Sequence, residues 1–266
     1  MLKRLLYLSA AGAALLSSAL AEQTDLWAAG VSREQGWRDY NKNFDGRDDE
    51  LCWAITATNL IDWWQAQIAD KLPPNTPQGA DIMPTFVASF SNAGSDPDEG
   101  IRWWFTGGYT PGRPDCAALQ EGHPGGYLRP LLPPDTEIKG SLLHAMRGSQ
   151  VTAQTAAEAF INGARAGAAF WIGVSYVSPA GRPAMHSLNV WGVRCSTDES
   201  GSTTICGIWI ADSDDYRTAL TYVPLKEDEG MLVFNATEHP IYKRIPRIVI
   251  DTITTLKPAH SSDDSP

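Results

Sequence analysis

The sequence has few cysteines and few basic residues, and it has no long hydrophobic run away from its N-terminus. Of its 266 residues, 43% are hydrophobic, which is enough for a folded core and excludes a disordered polymer. Only residues 1–21 are continuously apolar, so a multi-span membrane protein is excluded. The chain lacks the CxxC and HxxxH spacings of zinc sites and the glycine motifs that cradle phosphate. We therefore expect neither a metal nor a cofactor.

The apolar N-terminus has the three parts of a secretory signal peptide. Lys3 and Arg4 form the positive region, residues 5–16 the apolar region, and Ala19-Leu20-Ala21 a small-residue cleavage site. The alternative is a membrane anchor, but the run is too short to cross a bilayer comfortably. We predict cleavage after Ala21, secretion to the extracellular space or the periplasm, and no membrane association afterwards.

The mature chain is acidic. Without Lys3 and Arg4, the 21 basic side chains fall to 19 against 31 acidic ones, a formal charge of −12. Such a surface repels phosphate backbones, so nucleic acid is excluded as a partner. We expect a monomer with one domain over residues 22–257, followed by a disordered Ser/Asp-rich tail at residues 258–266.

Helical patterns come first in the chain and strand patterns follow. Apolar spacing predicts helices at residues 52–70, 100–105 and 153–165, and Asp48 and Asp49 suit the N-terminus of the first. Runs typical of strands follow at residues 169–177, 186–194, 205–211, 219–223, 231–234 and 245–256. This order indicates an α+β fold.

Two of the four cysteines flank a polar loop between predicted strands. If those strands form an antiparallel hairpin, Cys195 and Cys206 lie across from each other, and an exported protein can keep a disulfide. We predict a Cys195–Cys206 disulfide, with two free thiols as the alternative. Cys116 then has no partner and no assigned role.

Cys52 lies at the predicted first turn of the longest helix. The positive end of a helix dipole stabilises a thiolate there, and the backbone N–H of such a residue can hold an oxyanion. The alternative is a small buried core residue, the usual role of a free cysteine. Position alone does not decide between them.

A nucleophilic thiol needs an imidazole that accepts its proton. Of the five histidines, only His186 stands at the start of a strongly apolar strand. The others lie in loops, in the tail or on a short predicted helix: His123, His239, His260 and His144. A histidine at a strand start, opposite a helix that begins with cysteine, is the layout of papain-like enzymes. The alternative is a structural, hydrogen-bonded histidine.

Carboxylates and one lysine complete the candidate site. The next predicted strand ends in Asp212 and Asp214, which an antiparallel hairpin would bring near His186 if the register contains a bulge. Which aspartate is closer stays open, and a solvated turn is the alternative. Lys42 precedes Cys52 and could lower the thiol pKa and steady an oxyanion, whereas an ordinary surface lysine is the alternative.

The segment GWRDYNKNFDGRDDELC, residues 36–52, resembles the catalytic segment of the IdeS/Mac cysteine endopeptidases, secreted streptococcal enzymes that cleave immunoglobulin G. The similarity continues through Ala54, Thr56, Ala57, Asn59 and Trp63-Trp64. Three further segments are similar and stand in the same order: residues 103–109, 186–192 and 211–214.

This resemblance implies a papain-like α+β fold, with an N-terminal helical part that carries the nucleophile packed on a C-terminal antiparallel sheet. It implies Cys52 as nucleophile, His186 as base and later acid, Asp212 as the group that orients His186, and Asp214 as a supporting residue. Lys42 and the backbone N–H of Cys52 would form the oxyanion hole. The implied substrate is a protein, with immunoglobulin G as the relatives' example.

One departure from the family pattern stands beside the nucleophile. The family has Gly after its catalytic cysteine, and this chain has Trp53. We expect this bulky side chain to narrow or reshape the cleft.

The leading hypothesis is a secreted cysteine endopeptidase. One alternative is a non-catalytic protein that binds an immunoglobulin or receptor and uses its ten tryptophans as a recognition face, although core packing is the commoner role of tryptophan. Another keeps the thiol chemistry in a transglutaminase or an amidase.

Overall fold

The computed structural model describes residues 22–235 and 242–259. The predicted signal peptide at residues 1–21 lies outside the described residues, as do residues 236–241, residues 260–266 of the predicted tail, and with them His239 and His260. The helices are α1 (Cys52–Ala66), α2 (Ile82–Ser89), α3 (Pro97–Thr106), the single turn α4 (Ile138–Ser141) and α5 (Ala153–Arg165). The strands are β1 (Glu22–Trp27), β2 (Leu143–Arg147), β3 (Ala169–Val177), β4 (Pro183–Thr197), β5 (Thr203–Ala211), β6 (Thr221–Asp228), β7 (Met231–Phe234) and β8 (Ile248–Leu256).

Six antiparallel strands close into a barrel. The order β4-β3-β8-β7-β6-β5 returns to its start because β5 also pairs with β4. The two remaining strands add to this ring, β1 beside β4 and β2 beside β8. The predicted papain-like α+β fold, with a helical part packed on an antiparallel sheet, is therefore wrong: the strands form a closed barrel.

The length of β4 and its bulges explain why the prediction failed. β4 pairs with β3 through its first half and with β5 through its second half. The register shifts between Val190 and Gly192 and between Arg194 and Cys195, and β3 has a similar shift against β8 after Gly173. Bulges bend strands and increase twist, which lets a sheet curl onto itself. The alternation of apolar and polar residues shows which side chains share one face of a strand, but it does not show which distant strands will pair.

Alternating side chains divide the core into two apolar clusters. On β3, Phe170, Ile172 and Val174 belong to a cluster with members from all six barrel strands and α5. Ala169 and Trp171 point to the opposite face, into a cluster with α1, α2 and α3. The period of two along β3 thus separates the face that packs on α1, α2 and α3 from the face that belongs to the cluster with α5.

Helix α1 lies at the centre of the second cluster and is buried on almost all sides. Trp53 is fully buried and contacts Phe86 and Phe90 edge-on, while its Nε1 donates to the Ala93 carbonyl. The expectation that Trp53 narrows the cleft is therefore wrong, because its ring packs into the core instead.

Most of the predicted elements are present, with shifted ends. The helix at 153–165 and the strands at 169–177 and 231–234 are confirmed at the predicted residues. The first helix begins at Cys52 as predicted but ends at Ala66 instead of residue 70. Strands β1 and β2 and helix α2 were not predicted, and His144 lies on β2 rather than on a helix. Within the described residues, every helix is too short or too polar to cross a membrane.

Gly100→Ala should destabilise the fold. A Cβ on Gly100 would lie 2.9 Å from the Trp53 ring and 3.3 Å from the Ala57 Cβ, where α3 crosses α1. Overpacking of this kind costs about 1–3 kcal/mol, measurable by urea unfolding. Gly94→Ala is the control, because a Cβ there meets no described atom within 4 Å. Equal stability of both variants would contradict tight packing between the two helices.

Candidate active site

Cys52 is the first residue of α1 and lines a cavity of about 220 Å³ at the surface. Its side chain is half-buried. Leu51 occupies the N-cap position, and among the described residues no side chain forms a capping hydrogen bond there. The first turn contains no acidic side chain. The free backbone N–H groups and the positive end of the helix dipole therefore favour negative charge at Cys52.

Asp48 and Asp49 fix the preceding loop instead of capping the helix. The Asp48 carboxylate accepts hydrogen bonds from the backbone N–H groups of Asn43 and Phe44, at 2.7 and 3.0 Å. Asp49 Oδ1 accepts from the N–H of Gly46 at 3.2 Å. The two aspartates thus shape the loop between Lys42 and Cys52.

His186 lies on β4 and is buried between the thiol and a carboxylate. Its Nε2 is 2.8 Å from Asp212 Oδ1, and its side chain lines the same cavity as Cys52. Because Nε2 is taken by Asp212, Nδ1 is the nitrogen available to the sulfur. Thiol, imidazole and carboxylate thus lie in one series.

The hairpin of β4 and β5 decides which aspartate meets His186. The register shift between Val190 and Gly192 is the bulge that the sequence required. Asp212 lies at 2.8 Å from His186 Nε2, whereas the nearest oxygen of Asp214 lies at 4.0 Å. Asp212 is therefore the closer partner, and its Oδ1 also accepts from the N–H of Asp214 at 3.0 Å.

Lys42 reaches the same cluster from the segment that precedes α1. Its Nζ is 2.8 Å from Asp214 Oδ1 and donates to the Asp49 carbonyl at 3.1 Å. The residue is only 8% exposed, so its charge acts in a region from which water is largely excluded. Its backbone N–H also donates to the Ser213 carbonyl, which ties the lysine segment to the aspartate loop.

Two buried asparagines join α1 to β4. Asn59 Nδ2 donates to Asn189 Oδ1 at 2.8 Å, and Asn189 Nδ2 donates to the Thr56 carbonyl at 3.0 Å. Asn59 Oδ1 accepts from the backbone N–H of Tyr40 at 2.9 Å. The helix that carries Cys52, the strand that carries His186 and the segment that carries Lys42 are thus connected by one amide network.

The surrounding charges shift both pKa values toward an ion pair. Burial alone would raise the pKa of the Cys52 thiol, but the hydrogen bond and charge of His186 and the charge of Lys42 outweigh it and lower the pKa. Burial alone would lower the pKa of His186, but the charge and hydrogen bond of Asp212 raise it well above its usual value, with help from Cys52. The arrangement therefore favours a thiolate beside an imidazolium.

Tyr242 is a site residue that the sequence did not reveal. It is fully buried and hydrogen-bonds to Asp212, and burial followed by the nearby Asp212 charge raises its pKa well above the usual value. It lies in a short turn, Tyr242–Arg244, outside every helix and strand that the sequence predicted. Its contact with Asp212 supplies a second anchor for the group that orients His186.

A buried carboxylate supports another wall of the cleft, which was also missed. Asp98 accepts from Trp171 Nε1 and from Arg147 Nη2, both at 2.6 Å. Arg147 also pairs with Asp96 at 2.5 Å, so its guanidinium bridges two carboxylates. Burial and the neighbouring Asp96 raise the pKa of Asp98 to about 6. Since Arg147 lies on the unpredicted strand β2, no pattern pointed to this wall.

A metal ion has one candidate position among the described residues. Donor atoms of His186, Asp212 and Asp214 lie within 4.8 Å of one another. The ammonium of Lys42 is already 2.8 Å from Asp214, so a divalent cation would have to displace it. The chemistry of this cluster therefore fits a charged acid–base site better than a metal site.

The predicted Cys195–Cys206 disulfide is absent from the structure. All four cysteines are free, Cys195 buried in the barrel core and Cys206 partly exposed. Arg194 pairs with Gly207 and Cys195 with Ile205, so Cys206 is the extra residue of a bulge and has no direct partner across the hairpin. The hairpin was predicted correctly, but its register was not.

Asp39 is a largely buried carboxyl group near Asp212 and Asp215. Its Oδ2 accepts from the N–H of Ala219 at 2.9 Å, while its buried Oδ1 has no hydrogen-bond partner among the described residues. Burial, followed by the charges of Asp215 and Asp212, raises its pKa from 3.8 to about 8. At neutral pH this carboxyl is therefore held mostly in its neutral form.

The thiol pKa can be measured by alkylation. We expect iodoacetamide to modify Cys52 at lower pH than Cys195, whose pKa is raised by burial and by Cys206. His186→Ala should raise the pH midpoint for Cys52 by about 1–3 units, because the opposite charge is lost. Mass spectrometry of each cysteine peptide gives the midpoints. His144→Ala, at an exposed histidine on β2, is the control, and an unchanged midpoint in His186→Ala would contradict the ion pair.

Asp39→Asn should stabilise the protein at neutral pH. Since the pKa of Asp39 is about 8 in the fold and 3.8 when unperturbed, the unfolded chain releases this proton first, and stability falls as pH rises between those values. Asparagine removes that loss, and we expect a gain of about 1–3 kcal/mol at neutral pH, smaller in acid. Urea unfolding at several pH values measures it. Asp115→Asn, at an exposed carboxylate, is the control; a gain independent of pH would count against the assignment.

Comparison with protein families and with curated proteins found no match for this chain. The case for an activity therefore depends on the geometry of Cys52, His186, Asp212 and Lys42, together with the sequence resemblance of the segment that carries them.

Proposed function

We propose that this protein is a secreted cysteine endopeptidase that hydrolyses peptide bonds of an extracellular protein. The observation that supports this most strongly is the buried series of Cys52, His186 and Asp212, with a 2.8 Å contact between the last two, at the side of a surface cavity. Core packing does not require a thiol, an imidazole and a carboxylate to meet in this order.

The reaction begins with proton transfer from the Cys52 thiol to His186. The thiolate attacks the carbonyl carbon of the scissile bond and forms a tetrahedral oxyanion. His186, now an imidazolium, donates its proton to the leaving amine, and a thioester to Cys52 remains. Water then attacks the thioester with His186 again as base, which releases the acid product and restores the thiol. Asp212 stabilises the imidazolium in both halves.

The oxyanion has two candidate donors. The backbone N–H of Cys52 lies at the first position of α1, where the helix leaves its N–H groups without internal partners. An ammonium group has three N–H donors, and Lys42 directs two of them to Asp214 and the Asp49 carbonyl. The third remains for the oxyanion, where a preorganised positive charge is most effective.

Immunoglobulin G is the first substrate to test, because the segment from Lys42 to Cys52 resembles the segment of the IdeS/Mac enzymes that cleave it. The cavity beside Cys52 is also lined by four charged side chains, those of Glu50, Asp96, Arg113 and Arg147. Such a cleft suits a polar, extended polypeptide better than an apolar small molecule.

Cys52→Ala should abolish cleavage while the protein stays folded, and Asp212→Asn should slow it by about 10²–10⁴-fold. Purified protein without residues 1–21 is incubated with intact immunoglobulins under mild reducing conditions, and fragments are read on a gel. Cys116→Ser is the matched control at a thiol outside the site and should cleave like the wild type.

Cleavage by Cys52→Ala would exclude the proposed nucleophile. Tight binding of immunoglobulin by the wild type, without cleavage, would favour the non-catalytic alternative. Incorporation of an added amine into the protein mixture in place of hydrolysis would indicate a transferase with the same thiol chemistry.

A further inference from the structure

Two aromatic residues beside the site adopt a backbone conformation that aromatic residues rarely adopt. Phe44 has a φ of 54° and Tyr216 a φ of 56°. Left-handed backbone is costly for bulky side chains and is maintained only where the surroundings enforce it. The two rings contact each other, with centroids 5.1 Å apart. The two residues with strained backbone are therefore in direct contact with each other.

Each strained residue is held by a neighbouring aspartate. The carboxylate of Asp48, itself only 2% exposed, accepts from the backbone N–H of Phe44 at 3.0 Å. Asp215 Oδ1 accepts from the N–H of Arg217 at 2.8 Å, across the turn that contains Tyr216. Buried or half-buried hydrogen bonds thus fix both loops in place.

The aromatic contact lies next to the Lys42–Asp214 ion pair. Lys42 Nζ is 4.8 Å from the centre of the Phe44 ring and 2.8 Å from Asp214. Phe44 follows Lys42 on one loop, and Tyr216 follows Asp214 on the other, so the rings join the same two loops as the charges do. Lys42 is 8% exposed, whereas Phe44 is 37% and Tyr216 75% exposed. The rings therefore lie outside the buried Lys42, while the Asp214 side chain, 29% exposed, stays partly open to solvent.

We propose that Phe44 and Tyr216 form an aromatic cover over the Lys42–Asp214 ion pair and act as positioning residues that keep the ammonium of Lys42 beside Cys52. In this role the rings shield the 8% exposed Lys42 from water, and a charge acts more strongly on its neighbours where water is excluded. The ring face of Phe44 also attracts the ammonium directly. The effect of the cover on catalysis rests on the proposed function, but its effect on the thiol does not.

Phe44→Gly separates this role from folding. Glycine adopts positive φ without strain, so the variant relieves the backbone while it removes the ring. We expect a melting temperature equal to or above that of the wild type, together with alkylation of Cys52 about two- to tenfold slower in mildly acidic buffer, because Lys42 stabilises the thiolate less. Added salt should slow alkylation further in the variant than in the wild type.

Four further variants test the cover. Tyr216→Gly should give a smaller loss of the same kind, and Phe44→Tyr, which keeps the ring, should alkylate like the wild type. Asn75→Gly is the matched control, because Asn75 also has a positive φ, 62°, on a different loop. It should leave alkylation of Cys52 unchanged. Lys42→Met removes the ammonium itself and therefore gives the largest decrease in Cys52 alkylation that loss of the cover could cause.

The outcomes separate this proposal from the proposed function. If Lys42→Met slows alkylation and neither glycine variant at the cover does, the cover has no such role. The same conclusion follows if Lys42→Met has no effect. If the variants behave as expected but the wild type cleaves no protein, the cover stands and the endopeptidase assignment fails.

Discussion

The site depends on the buried hydrogen bonds that Asn59 on α1 and Asn189 on β4 make with each other and with the backbone of Thr56 and Tyr40. Both residues are 1% exposed. A buried amide group that loses its hydrogen-bond partner destabilises the fold, because water cannot replace the partner. The pair fixes the helix that begins with Cys52 against the strand that carries His186, and through Tyr40 it also holds the segment that leads to Lys42. The three distant parts of the chain that carry Cys52, His186 and Lys42 are thereby held together.

The electrostatics of the cluster follow from that placement. Asp212 and Asp214 lie near one imidazole and one ammonium, so each carboxylate has a cation in reach and each cation has a carboxylate. Asp39 lies near them, and its burial, together with the charges of Asp215 and Asp212, makes a further negative charge there unfavourable. The arrangement stabilises the charges of His186 and Lys42, which the proposed chemistry uses, and keeps the Asp39 carboxyl neutral. A buried site with fewer unpaired charges is less costly to fold.

The sequence allowed the site to be predicted more fully than the fold. A thiol at the start of an apolar helix, a histidine at the start of an apolar strand and aspartates at the end of the next strand are local patterns that indicated candidates and left alternatives open. The resemblance to the IdeS/Mac enzymes assigned their roles, and the structure brings Cys52, His186, Asp212, Asp214 and Lys42 together. Barrel closure, the strands β1 and β2, and the contact of Tyr242 with Asp212 involve residues far apart in the chain. No local pattern encodes such contacts.

What the sequence determined by itself is therefore the chemistry of individual positions and the period of the main helices and strands, because both follow from side chains close in the chain. The tertiary structure alone decided that six strands close into a barrel, that Trp53 packs into the core rather than into the cleft, and that Cys206 lies in a bulge away from Cys195. A shift of one residue in register changes which side chains meet, and register is set by bulges and long-range packing.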